Sequence, residues 1–109
     1  MSKYRNTMRQ NNTQGNSQDI SAAGAIDLRS GKYVFLTHAA GAIANTLADG
    51  LFDGQEIMVK CVASGGGSNV ITYNSTATAT YDAVGEETTF VWHQSAGDWE
   101  VFSNTATLA

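Results

Sequence analysis

No proline occurs anywhere in the 109 residues, and there is only one cysteine, with two histidines and two tryptophans. Without proline, chain reversals depend on Gly, Asn and Asp, whose tolerance of the left-handed backbone region suits tight hairpins. A lone Cys61 excludes an intrachain disulfide. It falls in the apolar strand pattern Gln55–Ala63 and reads as a small buried hydrophobe. No stretch approaches the ~18 apolar residues of a membrane-spanning helix. The N-terminus has basic residues with no apolar run behind them, so no secretory signal is expected and the chain should be soluble.

Chemistry is scarce too. His38, His93 and Cys61 could supply three metal ligands, but no close-spaced pair such as H-x-x-x-H or C-x-x-C joins them. They read as surface or satisfied strand residues, with no metal expected. Gly65-Gly66-Gly67-Ser68 lacks the lysine of a phosphate-binding loop and precedes a strand pattern, so it reads as a flexible hairpin loop. Glu86-Glu87 with Asp82 could pass for a carboxylate pair, but their place between strand patterns marks a solvated turn. The sequons Asn74-Ser75-Thr76 and Asn11-Asn12-Thr13 read as incidental without a secretory signal. No nucleophile–base pairing stands out, so no enzyme activity and no cofactor are expected.

Charge divides the chain. Residues 1–19 carry three cations against one acid, a net +2, whereas residues 20–109 carry three cations against nine acids, a net −6. An acidic body repels phosphates, which argues against a nucleic-acid partner. Residues 1–19 are polar and rich in Asn and Gln, with Met1, Tyr4 and Met8 as their only apolar side chains. Such a segment cannot repay its ordering entropy alone and is expected to be a flexible N-terminal arm. Tyr4 and Met8, four residues apart, would form a small sticky face in a helical turn, with Arg5 and Arg9 available to an acidic protein surface.

What is present from Ile20 onward is β pattern, expected to form a single all-β domain over residues 20–109. Short runs rich in Val, Ile, Thr, Phe, Tyr and Trp are separated by Asp49-Gly50, Asp53-Gly54, Gly65-Gly66-Gly67 and Ala96-Gly97-Asp98. Strands are expected at Tyr33–His38, Ala42–Ala48, Gln55–Ala63, Val70–Tyr73, Thr76–Tyr81, Glu87–His93 and Trp99–Ser103. In Gln55–Ala63 the set Gln55, Ile57, Val59, Cys61 and Ala63 shares the core-like face. Ile57, Val59, Phe90, Trp92, Trp99 and Val101 are the candidates for core or oligomer packing. The Thr/Ala run Thr76–Thr80 offers little bulk and suits close approach of a neighbouring chain. A body this small buries only ~60–65% of its unfolded surface, so closure or association is expected. The fold expected is a small antiparallel β-barrel or sandwich.

Leu47-Ala48-Asp49-Gly50, Gly54-Gln55-Glu56-Ile57, Tyr81-Asp82-Ala83-Val84-Gly85 and the close Thr89-Phe90-Val91-Trp92 with Trp99-Glu100-Val101 carry a resemblance. Over about residues 28–103 the chain resembles small β-rich structural proteins of tailed bacteriophages, among them capsid decoration (cement) proteins and head fibres. The resemblance implies a non-enzymatic homotrimer about a threefold axis. It implies a place on the outer capsid surface of a virion made in the host cytoplasm, with the major capsid protein as partner. Terminal extensions often grip the shell in such proteins, which makes Tyr4, Arg5, Met8 and Arg9 the candidate capsid-binding residues. The alternative reading is a fibre or tail-tip module binding a host-surface glycan or receptor, with Tyr73, Tyr81, Trp92 or Trp99 exposed for sugar stacking. A small hydrolase is a third and poorer reading.

Overall fold

A computed structural model describes residues 16–109, which form ten strands and no helix. These are β1 (Ser17–Ile20), β2 (Gly24–Ala25), β3 (Tyr33–His38), β4 (Ala42–Thr46), β5 (Glu56–Ser64), β6 (Ser68–Tyr73), β7 (Ala77–Tyr81), β8 (Glu87–His93), β9 (Asp98–Asn104) and β10 (Thr107–Leu108). They make two five-stranded sheets, β1-β3-β5-β8-β9 and β10-β7-β6-β4-β2. The all-β sandwich alternative therefore holds, and the barrel does not close.

The chain order explains the architecture. From β1 to β6 successive strands alternate between the two sheets, so odd strands build one sheet and even strands the other. Within each sheet these strands pair in parallel: β1 with β3 and β5, and β2 with β4 and β6. Parallel neighbours need a long crossover. Here each crossover contains a strand of the opposite sheet, giving three stacked two-strand rungs. From β7 onward the pairing turns antiparallel, with β7 on β6, β8 on β5, β9 on β8 and β10 on β7. The antiparallel expectation thus applies only to the C-terminal part, and the sheets are mixed.

Two sequence readings change accordingly. Gly65–Gly67 joins strands of different sheets, so it forms an arch and not a hairpin loop. A side chain at Gly67 would collide with the carbonyls of Gly41 and Ala39, so the close approach of two arches requires glycine there. The boundary drawn between residues 19 and 20 falls inside β1, whose Ser17–Ile20 pair with Tyr33–Leu36. A polar sequence becomes a strand here because edge pairing and the Gln18 side chain hold it. Gln18 Nε2 donates to the Asp27 carbonyl (2.7 Å) while Gln18 Oε1 accepts from the Asp27 N–H (3.1 Å).

Period-two alternation fills the space between the sheets. Val34, Leu36, Ile57, Val59, Cys61, Ile71, Ala79, Tyr81 and Phe90 are fully buried. Ala63 departs from the expected face and is exposed, because a β-bulge at Val62 sets Cys61 opposite Leu36 but Ala63 opposite Thr37 on the outer face. Edge-to-face contacts link Tyr73 to Phe90 (4.9 Å), Phe90 to Trp99 (6.4 Å) and Trp99 to Trp92 (5.3 Å). Gly50 lies over the Trp92 ring so closely that any side chain there would overlap the indole. Thr76–Thr80, expected to meet another chain, lies largely in β7, which is paired on both sides within the protomer by β6 and β10.

Candidate interaction surface

The outer face of the first sheet follows from register, since directly opposed residues share a face. Tyr33, Met58, Thr89 and Ser103 form one cross-strand row, and Phe35, Lys60 and Glu87 a second. Glu56, Val91 and Glu100 form a third. Tyr33 and Val62 are exposed on this side, and Phe35, Met58 and Val91 are half-buried. At the β9 edge the register slips between Thr89 and Phe90: Phe90 faces Val101, Thr89 faces Ser103, and Phe102 is the extra residue. Phe102 points outward, as alternation from the inward Val101 requires, and is 72% exposed, while the β-bulge after it brings Ser103 onto the same outer face.

Two shallow grooves flank the segment Asp53-Gly54, and Gly54 lines both. The larger, about 710 Å³, is lined by Asp53, Val91, His93, Glu100, Val101 and Phe102 among others. Asp53 and Glu100 make it acidic. His93 Nδ1 lies 2.9 Å from Glu100 Oε2, and Ser95 Oγ lies 3.1 Å from His93 Nε2 on this exposed hairpin. The smaller groove, about 380 Å³, is lined by Arg29, Lys32, Phe52 and Glu56, with Lys32 Nζ 3.2 Å from Glu56. Phe52 is 60% exposed.

A nucleophile–base pairing does exist, and the sequence reading missed it. His38 Nε2 lies 2.7 Å from Ser64 Oγ, and His38 Nδ1 lies 2.8 Å from Asn69 Oδ1. Asn69 Nδ2 donates to the Thr37 carbonyl (3.4 Å), which aims Oδ1 at the imidazole. An accepting Oδ1 fixes the proton on Nδ1, so Nε2 accepts from the Ser64 hydroxyl, the tautomer a general base needs. The parallel register sets His38 opposite Ser64, and the packing of the two sheets brings Asn69 of β6 against them. His38 and Asn69 are buried, and neither groove includes any of the three residues. Ser64 Oγ also accepts the Gly66 N–H (3.3 Å), so the relay ties the ends of β3, β5 and β6 to the glycine arch.

Other polar contacts close the sandwich. Tyr81 donates to Thr88 Oγ1 (2.7 Å), and Thr88 donates to Asn104 Oδ1 (2.6 Å), linking the two sheets through buried hydroxyls. Burial pushes the Tyr81 phenol well above its ordinary range, only partly opposed by the Thr88 hydrogen bond. Burial also raises Tyr73 and Cys61. On the surface, the Ser30 hydroxyl and the Arg29 N–H hold Asp27 below its usual value. Glu86 Oε1 accepts the N–H groups of Asp82 and Ala83, so this acid organises a turn, as its position suggests.

Ile57, Val59, Phe90, Trp92 and Trp99 all lie in the protomer's own core, and Val101 is half-buried against it. They serve first as the protomer's own core, and Trp92, Val101 and Ile57 also reach the floor of a surface groove. Tyr4, Arg5, Met8 and Arg9 lie outside the described residues. Among the described residues, no cluster of three or more His, Cys, Asp or Glu side chains could hold a metal ion.

No family model and no curated protein matches the chain. A solved structure described as "Structure of a chaperone-substrate complex" superimposes with a TM-score of 0.54 and 18% identity. The match covers 81% of this chain but only 17% of the other. At that identity the likeness shows the fold alone.

Proposed function

We propose that this protein is a non-enzymatic virion structural protein. In this reading it is a capsid decoration (cement) protein that binds the outer capsid surface as a homotrimer and strengthens contacts between major capsid protein subunits. The observation that carries a role in protein contact is the apolar surface left outside a well-filled core. Phe102 and Phe52 each stay exposed on the wall of a groove, and Tyr33 and Val62 stay exposed on the outer face of the first sheet, although the larger aromatics are satisfied within. Large apolar side chains left exposed at grooves and on an open sheet face mark interaction sites. The phage assignment rests on the sequence resemblance, and the sandwich fold is compatible with it. Internal DNA pressure loads the joints of a shell, and a trimer bridging several subunits offsets that load through added interface area.

The glycan-binding alternative loses its platforms, because Tyr73, Tyr81, Trp92 and Trp99 are all buried. The hydrolase reading gains the Ser64–His38–Asn69 relay, but neither of the two grooves reaches it. Cryo-electron microscopy of purified particles with and without this protein tests the proposal. Threefold density on the outer shell, absent from particles lacking the protein, is the expected result. Density confined to fibres or the tail would overturn it.

A further inference from the structure

Resting on the homotrimer reading, we infer that neighbouring copies join head to tail, the basic groove of one protomer receiving the acidic groove of the next. A three-membered ring cannot be built from a patch that meets itself. Its contacts are heterologous, so each protomer must present two different and complementary patches. The two grooves beside Asp53-Gly54 are such a pair. Residues 20–109 have only three cations, and two of them, Arg29 and Lys32, line the smaller groove; Glu56 on its wall pairs with Lys32, so the groove is left net positive by the Arg29 charge. The larger groove is lined by Asp53 and Glu100 and by no lysine or arginine.

Apolar content matches the charge pattern. Each groove carries one strongly exposed phenylalanine, Phe52 in the basic groove and Phe102 in the acidic one. Pressing the grooves together would cover both rings, while the rim charges set register and exclude like-on-like pairing. Gly54 lines both grooves, so the patches are adjacent and the two neighbours of a protomer sit side by side. Adjacent patches favour a small closed ring. Patches at opposite ends would instead run as a filament.

A charge exchange tests this contact. Arg29→Glu sets acid against acid, Glu100→Arg sets base against base, and the double variant restores opposite charges with the polarity reversed. Both positions are exposed, so the variants should fold, as the near-ultraviolet signal of buried Trp92 and Trp99 would report. Sedimentation velocity should find the wild-type chain trimeric at micromolar concentration. Each single variant should need at least about tenfold more protein to trimerise, with the double variant returning to within about threefold of wild type. Phe102→Ser should weaken the trimer without altering the monomer's spectrum. A wild-type trimer unaffected by either single charge change would overturn the groove contact and leave the trimer reading standing. Failure of the double variant to recover would also overturn it. A wild-type monomer would overturn both.

Discussion

Asn74 holds Trp99 by both of its backbone polar groups: Nδ2 donates to the Trp99 carbonyl at 2.9 Å, and Oδ1 accepts the Trp99 N–H at 2.7 Å. The Asn74 amide thereby replaces the strand that the edge of β9 lacks. It spans from the β6–β7 turn of one sheet to the outer strand of the other, closing the sandwich at that end. Asn74 occupies the left-handed region at φ 48°, which asparagine tolerates better than most residues. A glycan on this sequon residue would break the clamp.

Asn74→Gly preserves the backbone geometry and removes only the clamp. It should cost about 1–3 kcal/mol, the usual penalty for leaving buried polar groups unpaired. Asn74→Ala should cost about 1 kcal/mol more, because alanine is strained at this φ. Urea denaturation of the two variants separates these effects. Equal stability of Asn74→Gly and wild type would show that water satisfies Trp99 equally well.

Trp92 sits beneath Gly50, against Trp99, with its indole N–H donated to Gln94 Oε1 at 2.6 Å. Trp92→Ala should cost about 3–5 kcal/mol through the cavity it leaves. Gly50→Ala should also destabilise, because its methyl group has no space beside the ring. A loss below about 1 kcal/mol for Trp92→Ala would place this indole outside the cooperative core.

Stability should fall at alkaline pH. Tyr81 has a folded pKa above its ordinary value of 10.0, so the folded chain keeps a proton that the unfolded chain releases. The resulting stabilisation is complete below about pH 10 and is lost as pH rises through the folded value. Tyr73 acts in the same direction from 10.0, and Cys61 does so from 9.0. Asp27, lowered from 3.8, acts oppositely: its contribution is present above that value and is lost as pH falls through the folded one. Thermal melts from pH 3 to 12 should therefore show a plateau with losses at both ends. Tyr81→Phe should soften the alkaline decline while lowering the plateau through loss of the Thr88 hydrogen bond.

The β8–β9 hairpin and the inward face of β5 were legible in the sequence, because alternation reports which face is buried. Alternation does not report partners. The chain's passage between sheets from β1 to β6 could not be read from it, since parallel rungs and antiparallel hairpins place the same residues inside. β1 was hidden for a different reason. Ser17-Gln18-Asp19 has no strand composition and is held by β3 and by the Gln18 clamp on Asp27. Phe102 faces outward as alternation with Trp99 and Val101 requires, but the bulge that puts Ser103 on the same face leaves no trace in the pattern. The two grooves combine residues from distant turns and strand edges, so their opposite charges appear only in three dimensions.

That hidden strand decides how the proposed arm must be tested. Removing residues 1–19 would delete Gln18 and most of β1, along with the Asn16 carbonyl that accepts the Tyr33 N–H at 3.0 Å. Loss of particle binding in that variant could reflect damage to the first sheet. Removing residues 1–15 leaves β1 and its clamp intact while still deleting Tyr4, Arg5, Met8 and Arg9. The shorter deletion should leave the melting temperature unchanged within about 2 °C, whereas the longer one should lower it by roughly 5 °C or more, as expected for a loss above about 1 kcal/mol. If the arm grips the shell and the proposed trimer carries three of them, the shorter deletion should reduce particle binding at least about tenfold, because linked arms raise each other's effective concentration. Full occupancy by the 1–15 deletion would assign shell binding to the sandwich itself, where the outer face of the first sheet is the surface to mutate next.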